Sequence, residues 1–190
     1  MTAPPSRLER DRAVLLVVDI QERLIAAMSP PIAEQTVKNT AILVEAAARF
    51  GMPIVCSEQY PKGLGKTVAA VEIALAAAAA TTKVQRVEKL EFSLAPHLLG
   101  LTLPDAPQWI VTGMEAHVCV YQTARDLLTA GAPAHVVADA VCSRAKQNWR
   151  IGLERMREEG STITSTETTV FDLLGRAGTD QFTALSTLKK

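Results

Sequence analysis

Residues 108 to 126 read QWIVTGMEAHVCVYQTARD, and this stretch decides the fold. The apolar run from Trp109 to Val111 is typical of a buried strand, and Thr112-Gly113 predicts a tight turn. An amphipathic segment follows at once and predicts a helix, with Cys119 near its start. Strand, turn and helix in this order form the repeating unit of an open α/β sheet, in which ligands bind at the carboxyl ends of the strands.

Cys119 is therefore a candidate nucleophile. The positive end of a helix dipole biases a thiol toward the thiolate. The unpaired N–H groups of a first helical turn can also stabilise an oxyanion. The alternative interpretation is that Cys119 is a small buried apolar side chain, as most free cysteines are. The stretch alone leaves both interpretations open.

The rest of the chain repeats the alternation of strand and helix. Apolar or alternating runs predict five further strands, which begin at Ala13, Pro53, Lys83, His135 and Thr162. Helices are predicted over residues 33–50, 67–80, 96–99, 119–130, 146–159, 168–174 and 181–188. The fold class is therefore α/β, a three-layer α/β/α sandwich around a mostly parallel sheet of about six strands.

The sequence shows no internal repeat or linker, and we expect one domain over residues 1–190. Pro4-Pro5 oppose helix and strand alike, so residues 1–11 are expected to be a mobile or edge-lying lead-in. Residues 175–190 are expected to carry a terminal helix. Within residues 58–82, a loop containing Pro61 and two glycines is a place for a lid or a specificity element.

Composition argues against several classes of partner. The 20 Lys and Arg residues balance the 20 Asp and Glu residues, so no charge excess indicates binding to nucleic acid or to an anionic membrane. The longest apolar stretch, residues 69–80, is far shorter than the ~20 residues that span a bilayer. Three unevenly spaced cysteines and no apolar segment typical of a secretory signal predict a cytoplasmic protein without a disulfide framework.

Three ionisable residues follow three different predicted strands: Asp19, Lys89 and Cys119. Because the carboxyl ends of parallel strands lie at one edge of the sheet, we expect these side chains to converge. Asp19 would accept the thiol proton, Lys89 would favour the ionised forms by its charge, and the thiolate would attack a carbonyl carbon. Taken singly, Asp19 has an ordinary interpretation as a helix cap and Lys89 as a solvated lysine.

Four motifs in this order carry a resemblance to a known family. They are VVDIQ at residues 17–21, KLEFS at 89–93, GMEAHVCVYQTARDLL at 113–128 and VVADAVCS at 136–143. The chain resembles the isochorismatase-like, or cysteine hydrolase, superfamily, and the resemblance spans residues 13–174. It implies that Asp19, Lys89 and Cys119 are a catalytic triad. It also implies a cis peptide bond before Glu115, with the N–H groups of Glu115 and Cys119 forming the oxyanion hole.

The resemblance also bears on metals and cofactors. Nicotinamidase-like members carry an Asp-x-His metal motif after the second strand, but residues 57–60 read SEQY here and contain no histidine. His97, His117 and His135 are scattered singly along the chain, so we expect neither a metal site nor a cofactor.

Four residues near the expected site are candidates for binding the substrate: Gln21, Tyr60, Phe92 and His117. For His117, a packed or solvated histidine is the alternative. Some members that cleave the enol ether of isochorismate lack the cysteine, so Cys119 favours hydrolysis of an amide or another acyl group.

The leading hypothesis is a metal-independent cysteine hydrolase that acts on a small-molecule amide or acyl substrate. The alternative is a non-catalytic oligomeric binding or scaffold protein of the same fold, with Cys119 as a redox-sensitive thiol. Nucleic-acid cleavage is a third possibility, which would need a basic groove or metal ligands that the sequence does not display. The alanine-rich segment 69–80 and the apolar helix faces favour a homo-oligomer.

Overall fold

One parallel sheet of six strands organises the residues that the computed structural model describes, 7–187. The strands are β1 (Ala13–Val18), β2 (Ile54–Gln59), β3 (Val84–Lys89), β4 (Gln108–Met114), β5 (Ala134–Cys142) and β6 (Thr162–Thr164). They lie in the order β3-β2-β1-β4-β5-β6, and each neighbouring pair is parallel. The predicted α/β fold with a mostly parallel sheet of about six strands is confirmed.

Helices cover both faces of this sheet. They are α1 (Glu22–Ala26), α2 (Pro30–Phe50), α3 (Pro61–Leu64), α4 (Ala69–Ala78), α5 (Tyr121–Thr129), α6 (Lys146–Glu158), α7 (Thr166–Leu174) and α8 (Asp180–Thr187). Apolar side chains of α2 and α4 share one buried cluster, and those of α5 and α6 share the cluster on the opposite face. Within residues 7–187, no helix is both long enough and apolar enough to cross a membrane.

The central strand β1 explains where the site lies. All six of its residues are buried, and they alternate between the two apolar clusters: Leu15 and Val17 belong to one, Val14 and Leu16 to the other. A parallel strand covered on both faces requires such an unbroken apolar run. The chain runs outward from β1 through β2 and β3 on one side and through β4 to β6 on the other. The crevice beyond the carboxyl ends of β1 and β4 is therefore a topological switch point, where α/β proteins bind ligands.

The predicted turn at Thr112-Gly113 is wrong, because β4 continues to Met114. Gly113 lies opposite Val18 of β1 and has a φ of 127°. A Cβ atom on Gly113 would lie 1.9 Å from the carbonyl oxygen of Val18. The glycine therefore serves the close approach of two strands just before the site, and not a turn.

The described part of the lead-in, residues 7–11, packs against the domain. Leu8 is buried, and the Nε atom of Arg10 donates a hydrogen bond to the carbonyl oxygen of Leu173 at 2.6 Å. Of the two expectations for this segment, mobile or edge-lying, the contacts of residues 7–11 favour the second, while residues 1–6 lie outside the described part. The terminal helix is present as α8, although its predicted end at Leu188 also lies outside the described residues.

Candidate active site

Asp19 and Lys89 form a buried ion pair at the carboxyl ends of the strands. Asp19 directly follows β1, and Lys89 is the last residue of β3. The Nζ atom of Lys89 lies 2.6 Å from Oδ2 of Asp19, and neither side chain is exposed. Because β2 lies between these two strands, the lysine side chain reaches across β2 to the carboxylate.

Cys119 approaches the Asp19–Lys89 pair from the other side of β1. It lies in a single turn of wide, π-type helix, Ala116–Val120, which joins β4 to α5. The charges of Asp19 and Lys89 both act on its thiol, and only 5% of the residue is exposed. The structure thus brings together the three residues that the strand directions were expected to gather.

The environment of Cys119 differs from the sequence expectation of a thiolate. Burial raises the pKa of the Cys119 thiol to about 12, and the negative charge of Asp19 acts in the same direction. The positive charge of Lys89 opposes this effect but is the smaller influence. The expected bias toward the thiolate is therefore corrected. At neutral pH the resting group is a neutral thiol beside a carboxylate.

Lys89 is enclosed by oxygen acceptors. Besides Asp19, its ammonium donates to Oε1 of Gln59 at 2.9 Å and to the carbonyl oxygen of Phe92 at 3.0 Å. The carbonyl oxygen of Glu91 lies at 3.3 Å. A buried cation needs such partners, since desolvation without them is costly. The alternative interpretation of Lys89 as a solvated lysine is wrong.

Asp19 is held at both of its carboxylate oxygens. While Lys89 contacts Oδ2, the hydroxyl of Ser57 donates to Oδ1 at 2.6 Å. The backbone of Asp19 is left-handed, with a φ of 53°. This conformation is uncommon outside glycine but is tolerated by aspartate. The alternative interpretation of Asp19 as a helix cap is wrong, because α1 begins after Gln21 and Asp19 makes its contacts within the site.

The turn between β4 and Cys119 begins with the cis peptide bond Met114-Glu115, as the resemblance implied. The side chain of Glu115 points toward the end of β5 and accepts a hydrogen bond from Nε of Arg144 at 2.6 Å. The backbone N–H of Arg144 lies 3.4 Å from the same oxygen. The buried carboxylate of Glu115 is therefore paired, and its side chain fixes the turn to the segment that follows β5.

His117 also helps to hold this turn in place, from the side that is more exposed to solvent. Its Nδ1 lies 3.0 Å from the hydroxyl of Ser143, and its Nε2 lies 3.3 Å from Nδ2 of Asn148 in α6. Helix α6 also packs closely on this turn at Gly152, where a Cβ atom would lie 2.9 Å from the carbonyl oxygen of Ala116. His117 thus links the turn to α6 and to the segment that follows β5.

The other three substrate-binding candidates lie in different settings. Gln21 is fully buried, and its amide bonds the backbone N–H of Gln59 at 2.8 Å and the carbonyl oxygen of Gly65 at 2.7 Å. Both polar atoms of the Gln21 side chain are hydrogen bonded to backbone groups. The expectation that Gln21 contacts a substrate is therefore corrected. Tyr60 and Phe92 follow β2 and β3, and each is 51% exposed. These two remain candidates at the edge of the site.

Sequence reasoning missed Ser57 and Gln59, which contact the two members of the ion pair. They stand two residues apart in a strand that is otherwise mostly apolar, and this pattern could have identified them. Among residues 7–187, no group of three or more His, Cys, Asp or Glu side chains is placed to hold a metal ion.

A cavity of about 700 Å³ lies near the ends of α2 and β5, lined in part by Cys142, Ser143 and Arg144. None of Asp19, Lys89 and Cys119 lines it. Two contacts join the lining of the cavity to the turn that carries Cys119: that of Arg144 with Glu115 and that of Ser143 with His117. The cavity therefore lies beside the group formed by Asp19, Lys89 and Cys119.

Comparisons with known proteins identify a family and several similar proteins. The family model described as the isochorismatase domain matches residues 13–168. The chain is 36% identical over 190 residues to the secreted isochorismatase effector Isc1 of Phytophthora sojae (strain P6497), covering 97% of this chain and 87% of that protein. It is 32% identical over 179 residues to the isochorismatase domain-containing protein 2 of Xenopus laevis, covering 93% and 82%. The solved structure of the MAR1 ribonuclease from Caenorhabditis elegans superposes with a TM-score of 0.83 at 29% identity, covering 96% and 92%.

Proposed function

This chain belongs to the isochorismatase family, and on that premise we propose that it is a metal-independent cysteine hydrolase of small amides or related acyl compounds. The observation that carries the proposal is the buried pair of Asp19 and Lys89, whose two charges both act on the thiol of Cys119. A thiol, a base and a cation gathered at one place are the components of nucleophilic acyl transfer.

The first step is transfer of the thiol proton. Because the pKa of Cys119 is about 12, its thiol does not ionise unaided at neutral pH. Asp19, whose charge acts on the thiol, accepts the proton as the sulfur attacks the carbonyl carbon. Lys89 stabilises the negative charge that moves between the carboxylate and the sulfur.

The second step forms a tetrahedral intermediate. As the carbon–sulfur bond forms, the carbonyl π electrons move to the oxygen, which becomes an oxyanion. The backbone N–H groups of Glu115 and Cys119 donate hydrogen bonds to it, and each such donor contributes roughly 3 kcal/mol to the transition state when well aligned. The contacts of Glu115 with Arg144 and of His117 with Ser143 support this role, because they hold the turn in place.

The last steps release the products. Asp19 returns the proton to the leaving amine, the carbon–nitrogen bond breaks, and an acyl thioester remains on Cys119. A water molecule then attacks the thioester, with Asp19 taking its proton. The acid leaves as the sulfur recovers a proton from Asp19, and the enzyme returns to its starting state.

Two observations support the finer parts of this proposal. The nucleophile is only 5% exposed, which suits a small substrate that presents a narrow acyl group. At the end of β2, the donor set facing the site consists of a hydroxyl and an amide, those of Ser57 and Gln59. Both are weak ligands beside the Asp-x-His pair of metal-binding relatives, and both already bind the ion pair.

A substrate screen tests the proposal directly. A panel of small carboxamides and esters is incubated with the protein, and the release of ammonia or acid is measured, with Cys119→Ala as the blank. We expect at least one compound to be hydrolysed by the wild type only, with an acyl adduct on Cys119 visible by mass spectrometry. Failure of every compound to acylate Cys119 would favour the scaffold alternative.

The proposal also covers the cellular location and the oligomeric state of the protein. The three cysteines are free and buried, which suits a reducing compartment, and we keep the cytoplasm as the proposed location.

Several large apolar side chains are exposed, among them Ile73, Leu90 and Leu99. Such surfaces are common where copies of a chain associate, so we propose a homo-oligomer.

A further inference from the structure

We propose that Ser57 and Gln59 are positioning residues, which fix the carboxylate and the ammonium of the Asp19–Lys89 pair respectively. The inference rests on the proposed function of Cys119 as a nucleophile served by that pair. β2 contributes none of Asp19, Lys89 and Cys119. Under this inference, two of its residues hold the Asp19–Lys89 pair in place.

The strand geometry directs both side chains to the same place. Successive residues of a strand point to opposite faces, so Ser57 and Gln59 share one face and Glu58 has the other. Ser57 is fully buried and Gln59 is 7% exposed. Glu58 instead accepts hydrogen bonds from the backbone N–H of Thr67 at 2.7 Å and from Lys66 at 3.1 Å. Glu58 is therefore a matched control from the same strand.

Ser57 restricts the carboxylate of Asp19. Its hydroxyl donates to Oδ1 at 2.6 Å, while the ammonium of Lys89 donates to Oδ2 at 2.6 Å. With a donor on each oxygen, the carboxylate cannot rotate without breaking one of two charge-assisted hydrogen bonds. The direction from which Asp19 faces the Cys119 thiol is thereby fixed.

Gln59 restricts the ammonium in the same manner. Its Nε2 donates to the carbonyl oxygen of Leu90 at 2.7 Å, which turns Oε1 toward the Nζ atom of Lys89 at 2.9 Å. The backbone of Gln59 is in turn held by the Gln21 amide, which bonds its N–H at 2.8 Å and its carbonyl oxygen at 3.0 Å. Hydrogen bonds to both the side chain and the backbone of Gln59 thus hold it in contact with Lys89.

The position of the pair determines how readily the thiol ionises. The charge of Asp19 raises the pKa of Cys119, and the charge of Lys89 lowers it. Loss of the Ser57 hydroxyl leaves the charge of Asp19 less well compensated, and loss of the Gln59 amide releases Lys89 from its place. Either change disfavours the thiolate, so both act in the same direction on sulfur reactivity.

The test measures alkylation of Cys119 by iodoacetamide as a function of pH, a readout that requires no substrate. The variants are Ser57→Ala and Gln59→Met, with Glu58→Gln as the control and Cys119→Ala as the blank for the other cysteines. We expect alkylation at a given pH to slow by roughly tenfold in each positioning variant, the effect of one charge-assisted hydrogen bond. The pH profile should move to higher pH, while Glu58→Gln matches the wild type.

Conservative variants separate positioning from mere folding. Ser57→Thr keeps the hydroxyl and should restore a rate near that of the wild type, and circular dichroism shows whether each variant is folded. If Ser57→Ala and Gln59→Met are folded and alkylated at the wild-type rate while Lys89→Ala is slowed, the inference is overturned and the triad stands. If Ser57→Thr is as slow as Ser57→Ala, the hydroxyl contact is likewise refuted. Failure of the substrate screen would instead count against the proposed function, because alkylation does not depend on turnover.

Discussion

Lys89 contacts Asp19 at 2.6 Å although β2 separates their strands, and both side chains are fully buried. Removal of one partner leaves the other as an uncompensated buried charge. We therefore expect Lys89→Met to lower the free energy of unfolding by about 3–5 kcal/mol and to abolish hydrolysis. Urea denaturation measures the loss of stability. The double variant Asp19→Asn with Lys89→Met should recover much of the stability and none of the activity. A single Lys89→Met variant as stable as the wild type would contradict this account of the pair.

Cys119→Ala should separate chemistry from stability. The side chain is small, so we expect its removal to lower the free energy of unfolding by only about 1 kcal/mol. Hydrolysis should disappear, because the nucleophile is gone. Cys56→Ala is the matched control, since Cys56 is also buried but lies beside Thr67, outside the candidate site. Retained turnover in Cys119→Ala would refute the assignment of the nucleophile.

The pH dependence of thiol alkylation follows from the raised pKa. Because burial and Asp19 raise the pKa of Cys119 to about 12, the thiolate fraction is small at neutral pH and grows as the pH rises. We expect the rate of alkylation of Cys119 to increase with pH without a plateau below about pH 11. In Lys89→Ala the rate should be lower at each pH, since the opposing positive charge is lost. Mass spectrometry of the Cys119 peptide measures both rates, and a plateau near pH 7 would disagree with the structure.

RNA cleavage deserves a direct measurement, because a solved structure similar to this chain is described as that of a ribonuclease. The chain carries as many acidic as basic side chains, which gives no general attraction to a phosphate backbone. We expect neither salt-dependent binding of single-stranded RNA nor its cleavage. Gel analysis of labelled RNA after incubation with wild-type protein and with Cys119→Ala provides the check. If the wild type cleaves RNA and Cys119→Ala does not, RNA would become the candidate substrate.

Self-association is expected from the exposed apolar side chains. Ile73 and Leu99 are 71% and 86% exposed, which is unfavourable for isolated large aliphatic groups in water. Light scattering coupled to size exclusion should give a mass that is a multiple of 20.4 kDa. Ile73→Glu and Leu99→Glu test whether these surfaces are responsible, since a charge placed at an interface between copies weakens it. A wild-type mass of 20.4 kDa at all concentrations would exclude association through these faces.

The sequence was sufficient for the sheet and for the convergence of the triad, for one physical reason. The apolar run before Asp19 requires a strand buried on both faces, and such strands are parallel in α/β proteins. Parallel strands deliver the residues at their carboxyl ends to one edge, whatever their separation along the chain. The contact between Asp19 and Lys89 agrees with this expectation, because both residues stand at strand ends.

Other features depend on contacts that no local pattern encodes. Gly113 is typical of a turn when read singly, and only the passage of Val18 beside it explains the glycine. The pairing of Glu115 with Arg144 joins residues 29 positions apart, and neither residue type predicts the other. A thiolate was expected from the helix start, but desolvation, which depends on packing, raises the pKa of Cys119.

The carbonyl oxygens of Glu91 and Phe92 both point at the ammonium of Lys89. The segment after β3 therefore curls around a single cation, and the aromatic ring of Phe92 in this segment is 51% exposed. The path of this backbone segment and the charge of the buried site thus both depend on one side chain. We expect a substitution that neutralises Lys89 to loosen the segment after β3 as well as to change the charge near Cys119.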